Sequence, residues 1–131
     1  IGIDASINQL EYAAMLDNYY SGNFVVAARG WYADYPIADN YLYPLFSASS
    51  SDNMSHFDDP EFDRMILAAR AITNDQERVD AMHACDVYAA EKLPIVPLNW
   101  RGLAKCATAR CHGFRITPQI LPVAAQMTIE G

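Results

Sequence analysis

Long hydrophobic runs and catalytic motifs are both missing from this chain of 131 residues. No apolar stretch reaches the roughly 18 to 20 residues that a membrane-spanning helix requires, because Pro, Asp, Asn and Gly interrupt each one. The patterns GxSxG, HExxH and GxGxxG do not occur, so nothing marks an activated nucleophile or a nucleotide-binding turn. The sequence therefore predicts neither a transmembrane segment nor an enzyme, and no catalytic residue is assigned.

Basic residues, histidines and cysteines are also few. Nine Lys and Arg stand against 16 Asp and Glu, and the net charge of -7 repels phosphate backbones, which predicts no nucleic-acid partner. The three histidines and three cysteines are scattered, without zinc-ligand spacing, so neither a metal site nor a cofactor is predicted. Cys106 and Cys111 could close a short disulfide loop or remain reduced, and the sequence leaves both possibilities open.

The first third of the chain has the pattern of a strand, a helix and a second strand. Apolar residues alternate with polar ones over residues 1–8, which predicts a strand with one buried face. Helical spacing follows from Leu10 to Tyr20, and Gly22 is placed to end that helix. Phe24 to Trp31 is almost continuously apolar, which is typical of a strand covered on both faces. This order predicts a βαβ unit.

Three more helices and two more strands are expected further along. A short helix is predicted over residues 38–46, although Pro44 lies inside it. Asp58 or Asp59 can cap a helix with Pro60 at its first position, and Thr73 with Gln76 has capping-box spacing for the next helix. The predicted buried positions of this helical hairpin are Phe62, Met65, Ile66, Ala69 and Ile72 on one helix and Val79, Met82, Cys85, Ala89 and Leu93 on the other. Residues 94–98 and 103–109 are the predicted strands.

The segment RGWYADYPIADNYLYPLF, residues 29–46, sets acids among many aromatic rings. Trp31 and the nearby tyrosines are amphipathic, and at the mouth of a cleft their polar ends need no buried partner. Asp34 follows the predicted strand directly, at the strand end where ligands of open α/β sheets bind. Asp34 could equally cap the helix that follows Pro36. The residues alone leave both roles open.

Four sequence blocks in a fixed order resemble the family 5 extracellular solute-binding proteins, the oligopeptide and dipeptide receptors of ABC importers. The blocks are GWxADY from Gly30, PxFD from Pro60, QxR from Gln76 and LPIVPL from Leu93. The likeness extends from about Ile3 to Phe114 and implies an α/β fold, part of a type II periplasmic-binding-protein-like lobe with a mixed sheet and flanking helices. It further implies that residues 1–100 belong to the large C-terminal ligand-binding lobe and that residues 101–131 return to the N-terminal lobe. Because Ile1 follows no recognisable leader, we expect a processed or truncated piece.

The resemblance also implies a function, which is capture of a peptide ligand outside the cytoplasm, in the periplasm or as a cell-surface lipoprotein. ABC transporter permease subunits would be the partners, and a lipid anchor outside this chain would be the only membrane attachment. Asp34 would receive the α-ammonium group of the peptide, while Trp31, Tyr32 and Gly30 would line the pocket. Other members of the family bind nickel chelates, sugars and further solutes. The alternative is a non-enzymatic protein interaction module that uses the exposed aromatic surface, with Asp34 only as a cap.

Overall fold

The computed structural model describes residues 2–100, 102, 104–117 and 123–131. Within these ranges the regular structure consists mainly of helices, with one small antiparallel sheet near the end of the chain. The elements are α1 (Tyr12–Ser21), α2 (Asp39–Phe46), α3 (Pro60–Ala71), α4 (Asp75–Lys92), β1 (Cys111–His112) and β2 (Thr128–Ile129), with a 3-10 helix at Ala124–Gln126 before β2. None of the helices in the described residues is both long enough and apolar enough to cross a membrane.

The hydrophobic core lies where α2, α3 and α4 meet. Its buried residues are Leu42 of α2, Phe62, Ile66 and Ala69 of α3, and Met82, Cys85 and Ala89 of α4. The spacing of three and four residues in α3 and α4 places each set on one helix face, as the sequence predicts for a helical hairpin. Cys85 is part of this core, and burial raises the pKa of its thiol.

The first turn of α3 is fixed by the aspartate that precedes Pro60. Asp59 Oδ1 accepts hydrogen bonds from the backbone N–H groups of Glu61 at 2.9 Å and Phe62 at 3.1 Å, so Asp59 and not Asp58 is the cap. The Tyr88 hydroxyl of α4 donates to Asp59 Oδ2 at 3.1 Å, and Lys92 Nζ lies 3.6 Å from the same oxygen. One carboxylate therefore joins the start of α3 to the end of α4.

We expect this carboxylate to make the hairpin sensitive to acid. The Phe62 N–H bond, followed by the Tyr88 hydrogen bond, lowers the pKa of Asp59 below its ordinary value of 3.8. A lowered pKa in the folded state means that the stabilisation is present above pH 3.8 and is lost as the pH falls through the folded-state value. The variant Asp59→Asn keeps a capping oxygen without a charge, so its stability should change less below pH 4. Urea unfolding at pH 7 and pH 3 measures the free energy of unfolding of the wild-type chain and of Asp59→Asn. An equal loss of stability between the two pH values in both proteins would contradict this prediction.

Two helix details differ from the sequence prediction. Asn74 caps α4 by accepting the Glu77 N–H at 3.1 Å, so the helix begins one residue later than a Thr73 capping box would require. Val79 and Leu93, expected in the buried face, are 59% and 60% exposed. Leu93 already lies beyond the helix as its C-terminal cap, with a left-handed φ of 53°, a conformation common where helices end. Pro94 follows, and proline disfavours continuation of the helix through the residue before it.

The predicted strands before residue 100 are not formed. Residues 2–8, 24–31 and 94–98 have irregular backbone, and Val25 and Val26 are 98% and 91% exposed. A strand is stable only beside a hydrogen-bonded neighbour, and across the described ranges no strand lies next to these segments. The βαβ prediction is therefore wrong for this chain, although the central helix forms as α1 and ends at Gly22 in the left-handed conformation.

The final segment pairs with itself, which the sequence did not predict. Cys111 faces Ile129 and His112 faces Thr128 across the two antiparallel strands. Gly113 has a φ of 70° and lies so close to the Gln126 carbonyl that a side chain would clash there. Residues 104–109 form no strand, while Leu103 and the expected boundary at Arg101 lie outside the described residues. The division into residues 1–100 and 101–131 stays a prediction.

Candidate functional site

The candidate site is the irregular segment that runs from Gly30 to Ala38 and leads into α2. Gly30, Tyr32 and Asp34 are exposed, whereas Trp31 is half-buried. A Cβ built on Gly30 would meet no atom within 4 Å, so packing inside the described chain does not require glycine there. The segment thus presents an open surface in which Trp31 is the most firmly packed of the four predicted ligand-binding residues.

Trp31 is held by its polar end rather than leaving that end in solvent. Its Nε1–H donates to the main-chain oxygen of Asn40 at 2.7 Å. The guanidinium of Arg29 lies 5.6 Å from the centre of the indole ring and also donates to the sulfur of Met54. The expectation that the polar tips in this segment need no partner is wrong for Trp31, because its indole N–H is used inside the chain.

Asp34 is anchored through its backbone and not through its carboxylate. Its N–H donates to Asn40 Oδ1 at 2.8 Å. The side chain is exposed, and no hydrogen bond or ion pair joins its carboxylate to another of the described residues. Asp34 does not cap α2, since that helix begins at Asp39 and the preceding residue is Ala38. The alternative structural role considered from the sequence is therefore wrong in this form.

The second acid of the segment has the opposite environment. Asp39 is buried, and its carboxylate lies 3.1 Å from Arg70 Nε of α3 and accepts the Tyr35 hydroxyl at 3.1 Å. The Arg70 guanidinium in turn stacks 3.9 Å from the centre of the Tyr43 ring. Asp39 and Asp34 are five positions apart in sequence, yet only Asp34 keeps an available negative charge. Asp39 instead ties the start of α2 to α3.

Asn40 and Arg70 are the residues that sequence reasoning missed. Asn40 is 4% exposed and contacts both Trp31 and Asp34, while Arg70 fixes the neighbouring Asp39. Pro44, four residues later, was a sequence signal that the main-chain oxygen of Asn40 needs a donor from outside the helix. Proline has no N–H, so the oxygen of the residue four positions before it lacks its helical donor and needs another.

An open groove of about 400 Å³ lies beside the loop that joins α2 to α3, and Tyr20, Met54, His56 and Asp58 are among its lining residues. None of the four predicted ligand-binding residues lines this groove.

Cys106 is exposed and Cys111 half-buried, and both are free thiols, so the disulfide that the sequence left open is not formed. Across residues 2–100, 102, 104–117 and 123–131, no three His, Cys, Asp or Glu side chains cluster as metal ligands.

Comparison with known proteins points to one group of binding proteins. No family model matches the chain. A dipeptide-binding protein of Pseudomonas aeruginosa is 26% identical over 120 residues, which is 90% of this chain and 22% of the relative. The periplasmic oligopeptide-binding protein OppA of Salmonella typhimurium is 29% identical over 100 residues, 76% of this chain and 18% of the relative. The probable deoxycholate-binding periplasmic protein YgiS of Escherichia coli is 25% identical over 131 residues, 99% of this chain and 24% of the relative.

The solved structures agree on the fold. OppA of Burkholderia pseudomallei superposes with a TM-score of 0.88 at 22% identity, over 99% of this chain and 26% of that protein. The expected α/β fold class, a type II periplasmic-binding-protein-like lobe, is confirmed by this similarity. The resemblance to the family 5 extracellular solute-binding proteins agrees with these relatives, which are all named as binding proteins, and two of the three relatives above are named periplasmic. The chain spans about a fifth to a quarter of the length of these relatives.

Proposed function

We propose that this chain is the ligand-anchoring part of an extracytoplasmic solute-binding receptor of an ABC transporter, and that the receptor captures oligopeptides. The observation that carries the proposal is the contrast at Asp34, whose backbone is held by Asn40 while its carboxylate is exposed and has no partner among the described residues. The dipeptide-binding and oligopeptide-binding relatives support peptides as the ligand class, and the deoxycholate-binding relative defines the competing class.

The chemistry of such a site is ion pairing without a covalent step. A carboxylate about 4 Å from an ammonium gains on the order of 4 kcal/mol at an effective dielectric constant near 20, before desolvation is subtracted. Every peptide with a free amino terminus carries this ammonium, so Asp34 can anchor peptides of any sequence. Trp31 and Tyr32 add ring surface for the first residues of the ligand, and the open space around Gly30 lets a peptide backbone approach.

Ligand enclosure requires a second surface opposite this one. Two lobes that close about a hinge exclude water from the bound peptide and create the shape that permease subunits recognise. In this chain Tyr32 is 48% exposed and Asp34 is also exposed, so the described residues supply one wall of the site. We therefore propose that residues of the complete receptor outside this chain supply the other wall.

Calorimetric titration tests the proposed ligand class. We expect the complete receptor to bind a mixture of tripeptides to pentapeptides with a Kd of about 1 μM or tighter, and the 131-residue chain alone at least about 100-fold more weakly, because one wall leaves the ion pair in water. Deoxycholate serves as the competing ligand. A receptor that binds deoxycholate and no peptide would overturn the peptide proposal, and micromolar binding by the chain alone would contradict the need for a second wall.

A further inference from the structure

We infer that Asn40 is the positioning residue of the amine site, because it fixes both Trp31 and Asp34 without being able to touch a ligand itself. The inference rests on the proposed function. Asn40 is 4% exposed, so a bound peptide cannot contact it in this structure. Its two acceptor groups nevertheless hold the two residues that we place in the pocket, at 2.7 Å from Trp31 Nε1 and 2.8 Å from Asp34 N.

The main-chain contact depends on the proline inside α2. In an α-helix the N–H of residue 44 would donate to the oxygen of residue 40, but Pro44 has no N–H. The Asn40 oxygen is left without its helical donor, and the Trp31 indole N–H donates to it instead. The helix thus has a free acceptor in its first turn, and the indole N–H of Trp31 donates to it, which restrains the orientation of the indole ring.

The side-chain contact fixes the acid. The Asp34 N–H donates to Asn40 Oδ1, and Asp34 lies in a stretch of bends without regular hydrogen bonding. A segment with few backbone hydrogen bonds samples many conformations unless particular contacts hold it. Asn40 is itself held, since the buried carboxylate of the preceding residue Asp39 pairs with the partly exposed guanidinium of Arg70 of α3. Through this sequence of contacts, the rigid helical core determines where the exposed carboxylate stands.

The test compares peptides with and without a free amine on the complete receptor. The variant Asn40→Ala removes Oδ1 and keeps the main-chain oxygen, so Asp34 retains its charge but loses its anchor. We expect the affinity for a free-amine tripeptide to fall about tenfold and that for its N-acetylated form to fall less than about threefold, because only the amine uses the carboxylate. Asp59→Ala is the matched control, since it removes a helix cap of the same core and does not touch the site.

Each outcome separates the inference from the function on which it rests. If Asp34→Asn removes the preference for the free amine and Asn40→Ala leaves it intact, the positioning role is wrong and the amine site stands. If Asp34→Asn has no effect on that preference, the amine site itself fails. If Asp59→Ala selectively lowers the affinity for free-amine peptides, and does so as much as Asn40→Ala, a general loss of stability explains the effect and the positioning role is wrong.

A double-mutant cycle tests the role assigned to Pro44. With Pro44 present, Trp31→Phe leaves the Asn40 oxygen without a donor, and we expect the unfolding equilibrium constant to rise about tenfold. In a Pro44→Ala background the helix supplies its own N–H to that oxygen, so the same substitution should raise the constant less than about threefold. Chemical unfolding of the four proteins measures both values. Equal effects in the two backgrounds would show that the indole does not replace the missing helical donor.

Discussion

The substitution Asp34→Asn is expected to lower the affinity of the complete receptor for free-amine peptides by about 100-fold. Asparagine has the shape of aspartate and leaves the backbone bond to Asn40 in place, so the variant removes the charge alone. Loss of one partner from an enclosed charge pair costs roughly 2 to 5 kcal/mol, largely because the ammonium of the ligand is left without a counter-charge. Calorimetry with one tripeptide of fixed sequence measures the difference.

Two comparisons make that result specific. The N-acetylated form of the same tripeptide has no ammonium, so its affinity should change only a few-fold in Asp34→Asn. Asp86→Asn is the matched control, because Asp86 is an exposed acid on α4, in a different part of the chain. Equal losses for the acetylated and free peptides would rule out the amine-anchor role of Asp34.

The pH dependence of binding gives a further readout of the same ion pair. A peptide α-amino group has a pKa of about 8, and only its protonated form pairs with a carboxylate. Affinity for free-amine peptides should therefore decrease as the pH rises above about 8, whereas Asp34→Asn should show little dependence in that range. A wild-type receptor whose affinity is constant from pH 7 to pH 9.5 would contradict recognition of the ammonium.

Phe62→Ala is expected to destabilise the chain by about 3 to 5 kcal/mol, the largest stability effect predicted here. Phe62 is 0% exposed, and its ring centre lies 5.9 Å from those of both Phe46 and Phe57 in edge-on contact. Removal of the ring leaves a cavity between α2 and α3 and ends both aromatic contacts. The free energy of unfolding in urea measures this change.

The control for Phe62 is on the same helix. Leu67 is 52% exposed, so Leu67→Ala should cost less than about 1 kcal/mol. If Phe62→Ala unfolds the chain completely, Phe62→Leu gives a measurable intermediate loss of about 1 to 2 kcal/mol. Similar losses for Phe62→Ala and Leu67→Ala would show that α3 does not pack by the face described above.

The helices could be predicted from the sequence because their signals are local. Pro60 after an aspartate, the apolar spacing of Phe62, Ile66 and Ala69, and Gly22 after α1 each act within about one helical turn. The errors in helix starts were small, one residue at Asn74 and two residues at α1, which begins at Tyr12 instead of Leu10. The strand predictions had no such support, since residues 24–31 are apolar but find no partner in the described chain.

The predicted pocket residues could be chosen from the sequence by their type and position, but the contacts that hold them could not be predicted. Trp31 and Asp34 stood out as an aromatic residue and an acid after an apolar run. Asn40 looked like an ordinary polar residue at the start of a helix, and its importance follows from what its two oxygens contact. The roles of Asp34, Trp31, Tyr32 and Gly30 in binding a ligand stay predictions.

The sequence by itself determined the helical hairpin and most of its buried face, because backbone hydrogen bonds within a helix join residues four positions apart. Only the tertiary structure decided which of two nearby acids keeps a free charge. Asp39 is paired with Arg70, which lies 31 residues later in the chain, whereas Asp34 meets no cation among the described residues. Such pairing depends on how α2 packs against α3, and no local sequence pattern predicts which residues of two helices come into contact.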